Sequence, residues 1–146
     1  MANFNWFEVV VKYDTAEGKK KACHLLIDAL SYTEAENRAI EEMAAYCPGE
    51  LDIVNIRHRK FVDVILSGEN TAEFKYYQVK CNILCLDEKT GTEKKTPMLL
   101  LVQAASLKNA VQAFISYMRD SVTDYDIASV TETQIEDIHQ FRTAEQ

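Results

Sequence analysis

The stretch Ile27–Met43, IDALSYTEAENRAIEEM, decides the fold because a second stretch, Val102–Met118, VQAASLKNAVQAFISYM, follows the same pattern 75 residues later. In each copy a strand end leads into a polar turn and then into apolar residues at three- and four-residue steps, which is typical of an amphipathic helix. Ser31 and Ser106 stand at the helix starts, where a serine oxygen accepts a backbone N–H that has no partner within the helix. The chain is therefore predicted to carry one strand–turn–helix segment twice.

Short alternating segments flank each helix, and their order predicts the fold class. Residues 6–13, WFEVVVKY, alternate with a period of two, which is typical of a half-buried strand. Further strands are predicted at about 22–29, 51–57 and 60–66, and the same order recurs in the second half of the chain. The predicted fold class is α+β: a tandem duplication of a ββαββ unit, in which antiparallel sheets each carry one helix packed on a face.

The predicted domain organisation is a first ββαββ repeat at 1–66, a linker at 67–75 and a second ββαββ repeat at 76–146. Within the first repeat, the strands at 51–57 and 60–66 are expected to pair through a tight bend near His58 and Arg59. Because a unit of this size has a small core, the two repeats are expected to pack as one globular body.

One strand of the second repeat is apolar on both sides. Leu99 and Leu101 lie on the strand face opposite Leu100 and Val102. Two interpretations stay open for Leu99 and Leu101: an interface between the two repeats, or a contact between two copies of the chain in a homodimer.

The composition disfavours several classes of protein. The chain of 146 residues has a net charge of −7, and neither half is basic, which disfavours non-specific adhesion to duplex DNA or to an anionic membrane. The longest apolar run, Met98–Val102, is too short to cross a bilayer. The first residues lack the basic and apolar regions of a secretion signal, so the four cysteines are interpreted as reduced thiols. A cytoplasmic protein without membrane contact is expected.

No catalytic or metal-binding motif stands out. The glycines are isolated, and neither the histidines nor any serine or cysteine stands in a known catalytic context. Cys81 and Cys85 share a strand face but lie too far apart to bind one zinc ion together. The run Asp120–Asp126 lacks the glycine and the final glutamate of a calcium-binding loop. The chain is predicted to be no enzyme and to use neither a metal nor another cofactor.

The strongest local charge is the run Arg57, His58, Arg59 and Lys60. Its counterpart in the second repeat, Thr131–Gln134, carries no cationic residue, so the fold itself does not require these side chains. One interpretation is a site that holds phosphate groups of a nucleotide or of a nucleic-acid strand. The other is a solvated bend that offsets neighbouring acidic residues.

Two aromatic residues, Trp6 and Tyr76, fall outside the inward-facing sets of their strands and are related by a shift of 70 residues. Exposed rings beside cationic side chains would stack on the bases of a single strand. Alternatively, the two rings pack one repeat against the other. Both interpretations stay open.

Four segments resemble a small domain family of unknown function: NWFEVVVKY, DALSYTEAENRA, VQAASLKNAV and, most specifically, IASVTETQIEDI. The resemblance covers almost the whole chain. The family is carried by bacteria and by their tailed phages or mobile elements, so the resemblance implies a phage-associated setting. It implies no activity, cofactor or catalytic residue.

Two functions follow as hypotheses. The first is a non-catalytic binding module for an anionic ligand, either single-stranded nucleic acid or a small nucleotide, which Arg57–Lys60, Trp6 and Tyr76 would bind. The alternative is a protein–protein interaction or assembly module that binds a second copy of itself, or a host or phage protein, through Leu99 and Leu101.

Overall fold

The structure, a computed structural model, describes residues 5–45, 47, 49–67, 74–121 and 123–140. These residues form two four-stranded sheets and two helices, so the predicted α+β class is confirmed. The elements in chain order are β1 (Trp6–Asp14), β2 (Lys20–Asp28), α1 (Tyr32–Ala44), β3 (Leu51–Arg59), β4 (Phe61–Ile65), β5 (Lys75–Leu86), β6 (Glu93–Ala104), α2 (Leu107–Met118), β7 (Asp124–Glu132) and β8 (Ile135–His139).

The first sheet has the strand order β3-β1-β2-β8 and carries α1 on one face. Strand β1 pairs antiparallel with β2 and with β3, whereas β8 pairs parallel with β2. The alternation of β1 directs Phe7, Val9 and Val11 into the same core as the buried helix residues Ala35 and Ala39. The period of two in the strand and the three- and four-residue steps in the helix therefore bury matching apolar surfaces.

The second sheet has the order β4-β6-β5-β7 and carries α2. Its core is built in the same way, from alternate residues of β5 and β6 packed against Ala110, Phe114 and Met118 of α2. Both predicted helix caps are confirmed, because Ser31 Oγ and Ser106 Oγ each accept the backbone N–H three residues later, at 3.1 Å.

The predicted pairing of β3 with β4 is wrong. Strand β4 pairs parallel with β6 in the second sheet, from Phe61 opposite Leu99 to Ile65 opposite Val102. Only Lys60 separates the end of β3 from the start of β4, whereas a hairpin commonly needs at least two loop residues. The chain therefore leaves the first sheet after β3 and enters the second sheet at β4.

The two halves of the chain thus exchange one strand each. One compact unit contains the residues up to Lys60 together with those from Gln134 onward, and the other contains Phe61–Thr133. These limits differ from the predicted boundaries at 66 and 76, because β4 belongs with the second unit and β8 with the first. The predicted linker falls largely on residues 68–73, which lie outside the described residues.

Strand β6 is buried on both faces, as its sequence predicts. Leu100 and Val102 belong to the core beneath α2, and Leu101, on the opposite face, is also fully buried. Leu99 is half-buried. Within the described part of the chain, neither helix is long and apolar enough to cross a membrane.

Candidate functional site

The basic run of β3 is divided between the two faces of its strand. Arg57 and Arg59 lie on the face of Glu8, which is the residue of β1 opposite Arg57. His58 lies on the helix side, where its ring centroid is 5.0 Å from that of Phe7. Lys60 is exposed between β3 and β4. The four predicted site residues therefore do not form one continuous cationic surface.

Glu8 is the centre of an ion cluster in the first unit. Its side chain is buried, and its Oε1 accepts from Arg59 Nη1 at 2.8 Å and from Arg57 Nη2 at 3.2 Å. Its Oε2 lies 2.9 Å from His24 Nδ1. The residues Glu8, His24, Arg57 and Arg59 are named the Glu8 cluster below.

The electrostatics of the Glu8 cluster favour an ionised carboxylate. Burial alone would raise the pKa of Glu8, but the hydrogen bond with His24 and the charges of Arg59 and Arg57 together lower it below its usual value. The Arg59 side chain is only 17% exposed, whereas that of Arg57 is 57% exposed. Arg59 is therefore largely enclosed within the Glu8 cluster, whereas Arg57 is partly accessible to solvent.

Among the described residues of the second unit, no acidic side chain takes the position of Glu8. Its central strand β5 carries Gln78 where β1 carries Glu8, and Gln78 lies opposite Leu101 and Thr131 in the sheet. The sheet arrangement therefore does not require a glutamate at this position.

The two predicted stacking residues are not exposed. Trp6 is 3% exposed and Tyr76 is 7% exposed. Tyr76 also accepts a hydrogen bond at its phenolic oxygen from Gln103 Nε2, at 3.1 Å. Their burial favours packing over base stacking as the role of these two rings.

A cleft of about 440 Å³ opens in the second unit beside α2, and the sequence reasoning missed it. It is named the α2 cleft below. Its lining consists of residues 65–67 at the end of β4 and just after it, residues 103–105 at the end of β6 and just after it, and Asn109, Ala113, Ser116 and Tyr117 of α2.

In the first unit, the same side of the helix carries long charged side chains. Arg38 Nη2 lies 2.9 Å from Glu34 Oε1, and Arg38 Nη1 donates to the backbone oxygen of Asp28 at the end of β2. Glu42 Oε2 lies 3.3 Å from Nδ1 of His139 on β8. These contacts tie α1 to its neighbouring strands.

The 75-residue shift between the helices explains why α2 borders an open cleft. It aligns Glu34, Arg38 and Glu42 of α1 with Asn109, Ala113 and Tyr117 of α2. An alanine methyl group thus replaces a guanidinium group at the middle of this side. The two stretches that predict the fold, Ile27–Met43 and Val102–Met118, already contain this difference. It consists of a missing long side chain at residue 113, and no sequence motif marks it.

The lining of the α2 cleft is uncharged. Burial and the 2.8 Å hydrogen bond to Asp63 raise the pKa of Tyr117 to about 12, so this phenol stays neutral at physiological pH. The Gln103 amide is held on both sides, since its Oε1 accepts the Ser67 N–H at 3.0 Å while its Nε2 donates to Tyr76. Such a cleft suits uncharged side chains of a ligand.

No other chemical centre emerges in the described residues. Among them, no group of three or more His, Cys, Asp and Glu side chains is placed to hold a metal ion. Cys23 is a free thiol, and burial, the hydrogen bond with Glu136 and that residue's charge raise its pKa to about 12, which disfavours a reactive thiolate.

Glu8→Gln is expected to lower the free energy of unfolding by about 3 kcal/mol at neutral pH, because it leaves Arg59 beside a neutral amide. The folded pKa of Glu8 lies below its usual 4.5, so its stabilisation is present above pH 4.5 and is lost as the pH falls through the folded pKa. The difference in urea denaturation between the two proteins should therefore shrink in acid.

Asp52→Asn is a matched control, since it removes the same charge from an exposed position on β3. It should change the stability by no more than about 0.5 kcal/mol. A Glu8→Gln deficit that persists unchanged in acid would contradict the role of the carboxylate charge.

Comparison with protein-family models matches residues 5–141 to Domain of unknown function (DUF4494). No curated protein and no solved structure matches the chain.

Proposed function

Given that the chain belongs to the family Domain of unknown function (DUF4494), we propose that it is a non-catalytic binding module whose α2 cleft receives a segment of a partner protein. The observation that carries this proposal is the difference between the two units. On one side of α1 the hydrogen bond from Arg38 to Asp28 and the ion pair of Glu42 with His139 tie the helix to its strands, whereas the matching side of α2, where Ala113 stands in place of Arg38, borders the cleft. A difference that the fold does not require is a better candidate for function than a shared feature.

The surface around the α2 cleft supports a protein ligand. Helix α2 carries a single charged residue, Lys108, whereas α1 carries five. Leu66, Leu107 and Ile115 are between 43% and 60% exposed. Exposed apolar side chains on and beside a helix with a single charge are typical of protein interaction surfaces.

Ala113→Arg is expected to close the α2 cleft, because it restores the long side chain that Arg38 provides in α1. Linear peptides selected from a phage-displayed random library on the wild-type protein should bind this variant at least about tenfold more weakly, a difference of about 1.4 kcal/mol. Fluorescence anisotropy with labelled peptides measures the change.

Gln112→Arg is the matched control, since it adds the same side chain at the neighbouring, exposed position. It should leave peptide binding unchanged, and both variants should unfold at the wild-type temperature. If selection enriches no peptide, or if Ala113→Arg binds the peptides as well as the control does, the proposed function is wrong.

A second candidate function is the binding of an anionic ligand, single-stranded nucleic acid or a small nucleotide, at the Glu8 cluster. The favouring observation is that two guanidinium groups and one imidazole face a single carboxylate, and that Arg57 is 57% exposed. An oligonucleotide phosphate would add the second anion that this group of cations can accommodate.

Arg57→Glu is expected to abolish any salt-dependent binding of a fluorescent single-stranded oligonucleotide, whereas Lys21→Glu, at an exposed position on β2, should reduce it only slightly. Absence of oligonucleotide and nucleotide binding to the wild-type protein at low salt would remove this candidate.

We also propose an origin and a setting for the chain. The matched order of strands and helices supports descent of the two halves from one ββαββ unit by tandem duplication. A cytoplasmic, phage- or mobile-element-associated role is proposed from the resemblance of the sequence, and a second copy or a host or phage protein would supply the bound segment.

A further inference from the structure

Strand β4 forms an edge of the second sheet and borders the α2 cleft. The sheet order places β4 outside β6, and residues 65–67, at the end of β4 and just after it, line the cleft. Val62, in the middle of β4, is 63% exposed. A strand edge beside a helix groove is the arrangement in which proteins bind extended peptides by strand addition.

Asp63 covers one backbone group of this edge. Its Oδ1 accepts the N–H of Val64 at 2.8 Å, and its Oδ2 accepts the hydroxyl of Tyr117 at 2.8 Å. A single carboxylate therefore joins the backbone of β4 to a lining residue of the α2 cleft. Because the Asp63 side chain can rotate away, the Val64 N–H can instead donate its hydrogen bond to a carbonyl oxygen of an added strand.

Strand β8 in the first unit provides an internal comparison. Asp137 Oδ1 accepts the N–H of Ile138 at 2.9 Å, so the edge of β8 is covered in the same way. There, however, Asp137 Oδ2 lies 3.3 Å from His139, which also contacts Glu42 of α1. The same edge arrangement thus borders ion pairs in one unit and an open cleft in the other.

We infer that the partner segment binds as an extended strand added to β4, with uncharged side chains in the α2 cleft and a lysine or arginine beside Asp63. This inference rests on the proposed function and adds the conformation and chemistry of the ligand. The charge preference follows from complementarity: Asp63 is hydrogen-bonded to the lining residue Tyr117, the lining itself is uncharged, and the chain carries a net charge of −7.

Hydrogen exchange of the 146-residue chain, with and without a selected peptide, tests the strand addition. Peptides recovered from the random library should be enriched in lysine or arginine flanked by uncharged residues. Binding should slow exchange of the Val64 amide at least about tenfold, because that N–H would enter a strand ladder. The Ile138 amide, covered by Asp137 in the same way, should not change.

Asp63→Asn supplies a second, independent measurement. The amide keeps an acceptor oxygen for Val64 but loses the charge, so affinity for a basic peptide should fall about fivefold at low salt and little at high salt. Asp137→Asn should leave the affinity unchanged. Both substitutions lie at exposed positions.

The outcomes separate the inference from the proposed function. If no peptide is enriched, both are overturned. If peptides bind and Ala113→Arg removes binding, but the Val64 amide is not protected, the cleft is a binding site and strand addition is wrong. Protection at Val64 with an equal loss of affinity for Asp63→Asn and Asp137→Asn would overturn the role of Asp63.

Discussion

Two fragments, residues 1–67 and 68–146, are expected to assemble into one folded complex when they are expressed together, and neither is expected to fold fully alone. The first fragment contains β4, whose partner β6 lies in the second fragment. The second fragment contains β8, whose partner β2 lies in the first. Because each sheet needs an edge strand from the other fragment, cutting the chain after Ser67 should preserve every strand pairing.

Light scattering and near-ultraviolet circular dichroism measure this result. The mixture should give a one-to-one complex with the spectrum of the intact chain, whereas each single fragment should show weak aromatic signals or aggregate. A first fragment shortened to residues 1–60, which lacks β4, is the control. It should form a markedly less stable complex, since it leaves the outer edge of β6 without its strand.

Two stable monomeric fragments that do not associate would contradict the exchanged strands. That result would instead fit repeats that each contain all four of their own strands, as at the predicted boundaries, but that do not pack as one globular body. The experiment therefore distinguishes the observed pairings from the arrangement that the sequence predicts.

The elements were predictable because their signals are local. The alternation of β1 and the three- and four-residue steps after Ser31 depend only on which side of an element is buried. The same is true of the caps, since a serine oxygen satisfies an N–H within its own turn. Such patterns identify strands and helices without information on their neighbours.

The pairing of β4 was not predictable from alternation, because a strand pattern shows which face is buried and not which strand lies alongside. Phe61 and Ile65 would be buried on the same face of β4 whether that strand paired with β3 or with β6. The informative feature was the single residue Lys60 between two strands, which is too short for a hairpin turn.

The candidate sites likewise combine residues that the sequence shows with contacts that only the fold shows. The run Arg57–Lys60 attracts attention as a cluster of charge, yet the partner that determines its role, Glu8, lies 49 residues from Arg57 in the sequence. The α2 cleft has no motif at all. It depends on a small residue, Ala113, at a position where the other helix has Arg38, and only the fold shows that these positions face neighbouring strands.

Leu101→Asp is expected to lower the free energy of unfolding by at least about 4 kcal/mol. Leu101 is fully buried on the face of β6 that points away from α2, and its neighbours across the sheet are Gln78 and Val64. Neither neighbour is cationic, so a carboxylate at this position would be desolvated without a compensating charge. Thermal and urea denaturation measure the loss.

Val62→Asp is the matched control, because it makes an equally polar change at an exposed apolar residue of the adjacent strand β4. It should alter the stability by no more than about 0.5 kcal/mol. Leu101→Met, which preserves volume and apolarity, should cost less than about 1.5 kcal/mol.

The same experiment separates the two interpretations of the apolar strand. Since Leu101 has no exposed surface within a single chain, the loss of stability should not depend on protein concentration. A homodimer contact would behave differently: Leu101→Asp would lower the mass measured by light scattering and leave a monomer as stable as the wild type. That outcome would show that contact with a second copy, rather than the fold of one chain, determines the role of Leu101.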